Sequence, residues 1–172
     1  MDFHLRAGVS RPAFFLGLVL LAAAACSTVP PLAHTHATPE ALARSVLDAV
    51  EAGDRPALLL FALSEQEFRD HIWPELPASR PERNLPFSFV WGDLKGKSDV
   101  ALDQTLSQYK GRRYELLRVT FAGETPYGSY RVMREATFHV RTLDGEAEEL
   151  RLAGSFVQQG NVWKVFSYVI DS

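Results

Sequence analysis

Cysteine is nearly absent from this chain: Cys26 is its only one, so no disulfide can form within it and the fold must rest on an apolar core. Exported proteins commonly carry cysteine pairs, so a lone thiol is free for another purpose. An excess of one charge is missing too. With 18 basic and 21 acidic residues the net charge is −3, which lacks the basic surface that displaces counterions from nucleic acid. No nucleic-acid partner is expected. No Gly-rich phosphate loop, Cys/His metal cluster, HExxH or GxSxG occurs, and neither catalytic residues, a metal nor a cofactor is expected. A hydrophobic fraction of 47% without low-complexity tracts fits one ordinary globular domain in 172 residues.

What is present begins with a short basic stretch, Arg6 and Arg11, followed by an apolar run from Ala13 to Ala25. That run is shorter than the roughly 18–20 residues a permanent membrane helix needs, but it suits the apolar centre of an export signal. The segment Leu20-Leu21-Ala22-Ala23-Ala24-Ala25-Cys26 resembles the lipobox of bacterial lipoproteins, with Ala23 where leucine is commoner. The resemblance implies removal of residues 1–25 and acylation of Cys26. It also implies residence in the cell envelope as a lipid-anchored protein. Ser27 is similar to the pattern that permits sorting to an outer membrane, facing the periplasm in a two-membraned cell. Residues Ser27 to Ala37 carry two prolines and no periodicity, which predicts a tether reaching about 30 Å at roughly 3 Å per residue. His34 and His36 within it would face one side of an extended chain. That makes a weak metal pair or two solvated histidines.

Thr38-Pro39-Glu40 opens a helix with a hydroxyl cap, a proline in the first turn and an acid near the positive end. Leu42, Val46, Ala49 and Val50 recur at helical spacing and Gly53 stops it. Asp54 caps a second, apolar helix over Pro56 to Leu63, expected to be buried. Ser64-Glu65-Gln66-Glu67 is a capping box before a third helix that turns Phe68, Ile72 and Trp73 inward and ends at Pro74. Pro74 to Pro86 reads as a long loop, Phe87 to Trp91 as a short apolar segment, and Ser98 to Tyr109 as a further helix closed by Gly111. Strands follow over Tyr114–Phe121, Tyr130–Leu143, Glu148–Gln159 and Val162–Asp171, with Gly154 marking a bend or bulge. Their short links predict an antiparallel meander. Tyr130, Val132, Ala136, Phe138 and Val140 alternate with polar residues, predicting one dry and one wet face. Helices first and strands later make the fold class α+β, with helices on a four-stranded sheet.

Leu47-Asp48-Ala49-Val50-Glu51-Ala52-Gly53-Asp54, and the closing stretch through Gly160-Asn161-Val162-Trp163-Lys164-Val165, resemble the opening and ending of NTF2-like (SnoaL/ketosteroid-isomerase-type) domains. The resemblance would cover Thr38 to Asp171 of a domain spanning residues 38–172. It implies a curved sheet wrapped against helices, a cone whose open end holds a small apolar molecule, and dimerisation through the sheet. The aspartate, histidine or tyrosine that enzymes of that class place inside the cone has no residue-by-residue match here.

Three residues are candidates for ligand binding. Arg134 interrupts the apolar face of the second strand, where a guanidinium needs an anionic or carbonyl partner, such as a ligand carboxylate; the alternatives are a bulge turning it outward or pairing with an internal acid. Trp91 and Tyr168 offer apolar bodies with polar tips, to a pocket or to the core. Arg118 is expected to point outward, His71 to be a half-buried structural residue and His139 to be solvated. The last strand is apolar on both sides, through Trp163, Val165 and Val169, and through Phe166, Tyr168 and Ile170. That suits either a partner surface or cover from both sides. A membrane-tethered, non-catalytic ligand-binding or interaction module accounts for a complete fold pattern without reacting groups. A small-molecule isomerase or hydratase on the same cone, and an envelope assembly protein using its sheet face, are the alternatives. Cys26→Ser should move the protein from the membrane pellet to the soluble fraction; retention in the pellet would exclude the lipid anchor.

Overall fold

The computed structural model describes residues 29–169. Cys26 and the leader lie outside the described residues, as do Ile170 and Asp171 of the expected last strand. No helix among the described residues is long and apolar enough to cross a membrane.

Helix α1 (Pro39–Ala52) starts where the sequence signals it. The Thr38 hydroxyl accepts from the Ala41 N–H, and Gly53 closes the helix at φ 70, a left-handed value that costs glycine little. Its buried stripe Leu42, Val46, Ala49 and Val50 has helical spacing. Helix α2 (Arg55–Phe61) is capped by Asp54 but ends earlier than expected. It is not buried all round: Leu58 is buried, whereas Leu60 is 49% exposed. The chain leaves the helix at Ala62 because Ala62 forms a parallel bridge with Val165 and the Leu63 N–H donates to the Val165 carbonyl.

The capping box forms fully at α3 (Glu65–Glu67), which runs on as a π turn over Phe68–Ile72 and a 3-10 turn over Trp73–Glu75. The expected loop from Pro74 continues as two more 3-10 turns, Pro77–Ser79 and Pro81–Arg83, each opening on a proline whose fixed φ and missing N–H suit that position. The separate segment at Phe87 and the helix from Ser98 are one element, α4 (Phe87–Tyr109). Gly92 and Gly96 weaken its periodicity, while Asp93–Lys97 and Lys95–Asp99 pairs at i, i+4 carry the helix across them.

Five antiparallel strands follow rather than four: β1 (Tyr114–Pro126), β2 (Arg131–Thr142), β3 (Ala147–Leu150), β4 (Ser155–Gln159) and β5 (Val162–Ser167). They run in the order β1-β2-β4-β5, with β3 also on β2. The expected single strand from Glu148 is split at Arg151–Gly154. A Cβ at Gly154 would lie 1.6 Å from the Val169 carbonyl oxygen, so only glycine fits that close approach. Strand β1 runs past Phe121 because Gly123 to Pro126 pair with Arg134 to Arg131.

On β2 the expected dry face holds from Ala136 to Val140, where Ala136, Phe138 and Val140 are buried between the less buried Thr137, His139 and Arg141. What is corrected is cover on one side only, which fails at β4 and β5. Neighbours Phe156 and Val157 on β4, and Val165 and Phe166 on β5, enter different apolar clusters, as side chains alternating along strands do. This part of the sheet is therefore covered on both sides. The first cluster joins α1, α2 and Leu102 of α4 to Phe138, Phe156 and Tyr168. The second joins Phe68, Ile72 and Leu32 to Tyr130, Val132 and Val157, with Trp91, Leu94 and Phe166 packed on it. On β2, Val132 belongs to the second cluster and Ala136, Phe138 and Val140 to the first. Between them Glu135 adopts φ 53, and this left-handed residue switches the strand's faces.

The segment before α1 is not a free tether up to Ala37. Leu32 is buried, and His36 exchanges backbone hydrogen bonds with Trp163 at 3.0 and 2.8 Å. The Ala33 N–H donates to Glu67, and His71 Nε2 bonds the Pro30 carbonyl at 2.8 Å. Together with Ala62 and Leu63, this segment covers the outer edge of β5. His34 sits at φ 50, so the extended geometry that would aim both histidines one way is absent there.

Glu67 ties these parts together. Its carboxylate accepts from Lys164 Nζ at 2.9 and 2.8 Å, from the Ser64 N–H and hydroxyl at 2.8 and 2.9 Å, and from the Ala33 N–H at 2.8 Å. Lys164 is 2% exposed and was not singled out from the sequence. Burial would push the Glu67 carboxyl up, but hydrogen bonds from Lys164, Ser64 and Ala33 outweigh it and hold the group below its ordinary range. Burial pulls Lys164 down more strongly than Glu67 holds it up. Removing one member strands a buried charge, so Lys164→Ala should cost about 3–5 kcal/mol in urea unfolding. Arg113→Ala, which removes an exposed pair with Glu51, should cost less than about 1 kcal/mol. Equal losses would show that the buried pair has no special weight.

Candidate functional site

Helix α4 crosses the second cluster with a recess on each flank. The larger, of about 470 Å³, lies between α4 and the sheet and is lined by Phe68, Val90, Leu94, Val132, Phe166 and Arg134 among others. The smaller, of about 280 Å³, lies between α4 and the α2–α3 junction, lined by Leu59, Leu63, Trp91, Leu94, Phe166 and Tyr168, with Lys95 and Asp99 among its polar groups. Leu94 and Phe166 belong to both walls.

This arrangement brings two of the three ligand-binding candidates together and separates the third. Trp91 is half-buried, with its ring 5.2 Å from that of Phe68, and lines the smaller recess. Tyr168 lines it too, but largely as a core residue: its hydroxyl donates to the Leu58 carbonyl at 2.6 Å, and its N–H donates to the Ser98 hydroxyl at 2.9 Å. Burial alone drives that phenol's pKa strongly upward, which suits a fixed hydrogen-bond donor and not a base. Arg134 belongs to the larger recess, and the face switch at Glu135 leaves it exposed instead of beneath the Ala136, Phe138 and Val140 row.

The histidines serve structure. His71 is half-buried and joins the Pro30 carbonyl to Gln159. His139 lies on the outer face but is not fully solvated: its side chain is 15% exposed, with Thr120 Oγ1 2.8 Å from Nε2 and Glu149 Oε1 3.1 Å from Nδ1. Arg118 is exposed, as its alternation indicates. Among the described residues no group of three or more His, Cys, Asp or Glu is placed to hold a metal, and no histidine lines either recess. What the recesses offer is apolar wall with hydroxyls, the Arg134 guanidinium, and charged groups already matched to one another, Lys95 with Asp99 and Lys97 with Asp93.

Sequence reasoning missed the polar side of the larger recess. Thr125, Ser155 and Ser167 line it with Arg134, and only cross-strand register places them together. It also missed the setting of His36, whose ring meets Phe61 edge-on at 5.2 Å and whose Nε2 lies 2.9 Å from the Ser45 hydroxyl. Its Nδ1 is buried without a hydrogen-bond partner among the described residues. Burial, and then the neighbouring Lys164 charge, lower its pKa. A base whose folded value is lowered contributes nothing unfavourable above its ordinary 6.5; stability is lost as pH falls from there through the lowered value, because the unfolded chain takes the proton first. Unfolding free energies measured on either side of pH 6.5 should show this loss, and His36→Gln should flatten it; an unchanged pH profile in that variant would remove His36 as the cause.

Comparison with protein-family models, curated proteins and solved structures gives no match for the chain.

Proposed function

We propose that this chain is a lipid-anchored, non-catalytic binding module of the cell envelope. In this reading Cys26 carries the acyl chains, several of which hold far better than one at about 0.8 kcal/mol per buried methylene. The domain receives a small, largely apolar ligand beside α4. The sheet and its covering helices act as the cone of an NTF2-like domain, with the recesses flanking α4 as its mouth.

The observation that carries the reading is the pair of recesses meeting at Leu94 and Phe166. An apolar helix face laid on an apolar sheet normally closes to crystal-like density. Here about 280 and 470 Å³ stay open on the two sides of one helix, the larger within the range that small-molecule sites use. Among the described residues no histidine lines them, and their carboxylates Glu65, Asp99 and Asp93 are each held by a cation, Arg69, Lys95 and Lys97 in turn, which leaves no free base. That favours retention of a ligand over its conversion.

The full chain extracted from its host's membranes and examined by native mass spectrometry should carry a co-purifying small molecule. Leu94→Trp, which enlarges the residue shared by both walls, should lower its occupancy while the protein stays folded by circular dichroism. A chain that emerges ligand-free from fresh membranes, or whose ligand is unaffected by Leu94→Trp, would overturn this reading.

A further inference from the structure

We propose that the larger recess beside α4 binds an amphiphile with a carboxylate head, the head seated on Arg134, Ser155 and Ser167. The inference rests on the binding-module reading and adds the chemistry of the ligand.

The pairing register carries it. Gly123 on β1 is paired with Arg134 on β2, Arg134 with Ser155 on β4, and Ser155 with Ser167 on β5. One row therefore crosses four strands, and directly paired residues have Cβ atoms about 4.5–5.5 Å apart. Arg134, Ser155 and Ser167 all face the recess. Gly123 lets the guanidinium settle over the edge of the row: a Cβ there would come 2.6 Å from Arg134 Nη2. Any other residue at 123 would push the cation away.

This row is unsatisfied. Among the described residues Arg134 forms no ion pair or hydrogen bond, and the side-chain hydroxyls of Ser155 and Ser167 have no hydrogen-bond partner. The neighbouring Arg131 and Arg141 are each paired with a glutamate. Ser167 is 6% exposed, and what remains open of it faces the recess, where its hydroxyl is free to meet a ligand. An anion over the row would accept from a guanidinium and two hydroxyls at once.

Charge and shape narrow the anion. Lys97 on the rim is already matched by Asp93 at 2.8 Å, so the recess presents one uncompensated positive charge. That matches a carboxylate, whose two oxygens fit the guanidinium fork, and leaves a doubly charged phosphate monoester under-compensated. Beyond the row the wall is Phe68, Val90, Val132 and Phe166, which takes an apolar body. The volume of about 470 Å³ lies within the range of small-molecule sites.

The test uses the full chain in lipid nanodiscs, titrated calorimetrically with octanoate, octanol and octyl phosphate against empty nanodiscs. Octanoate should bind about tenfold more tightly than octanol, the worth of a charge-assisted hydrogen bond at a partly exposed site. Arg134→Gln should abolish that preference and leave octanol binding unchanged, which shows the recess intact. Gly123→Ala should weaken octanoate in the same direction by displacing the guanidinium. Octanoate and octanol binding equally, a preference that survives Arg134→Gln, or tighter binding of octyl phosphate would each overturn the carboxylate head while leaving a binding module standing. If none of the three binds, this inference falls; the co-purification experiment then decides the broader reading by itself.

Discussion

A half-buried carboxylate holds this molecule's parts in register. Glu67 accepts five hydrogen bonds from four donor groups in three places in the chain: the segment before α1, the cap of α3 and the centre of β5. Each donor alone is an ordinary hydrogen bond. Their convergence on one carboxylate makes the arrangement all-or-none, because withdrawing one partner leaves the remaining charge in a poorly hydrated place. The same residue completes a capping box, so a local rule of helix initiation has been extended into a tertiary lock. With β5 fixed in this way, Phe166 and Ser167 are held where the recess beside α4 needs them.

The second constraint is a change of face in the middle of β2. A strand that kept its alternation would place Arg134 under the same helices as Ala136, Phe138 and Val140, where a guanidinium without a partner is costly. The left-handed turn at Glu135 avoids this. It gives one strand two allegiances: its first half to the cluster beside Phe68, its second half to the cluster beneath α1. The arginine ends at the seam between them, at the edge of open space.

Much of the helical organisation was legible because its signals are local. Thr38, Gly53, Asp54 and the Ser64–Glu67 box each act within a turn of chain, and all four operate as their chemistry indicates. The α+β class and the antiparallel hairpins followed from periodicity and turn residues. Features that depend on distant partners were not legible. Helix α4 reads as two pieces because Gly92 and Gly96 interrupt its apolar pattern, and the burial of Ser98 and Thr105 along it depends on neighbours that only the fold supplies. At Gly154 the sequence signals a bend, but the full break of the strand from Glu148 depends on the Val169 backbone pressing on it, which nothing nearby in sequence reveals. Of the site, Trp91, Arg134 and Tyr168 could be singled out by residue type. The serines could not, since a serine on a strand is unremarkable until its cross-strand neighbour is known.

The docking of the segment before α1 bears on how the domain would sit in a cell. If Cys26 is the acylated residue, only Ser27, Thr28 and Val29 separate it from Pro30, whose carbonyl is held by His71. Four peptide steps, fully stretched, span no more than about 14 Å. On so short a lead, and under that proposal, the domain would stand on the lipid headgroups rather than swing above them, with the side carrying His71 and Gln159 toward the bilayer. Any molecule travelling between membrane and protein would then have almost no water to cross.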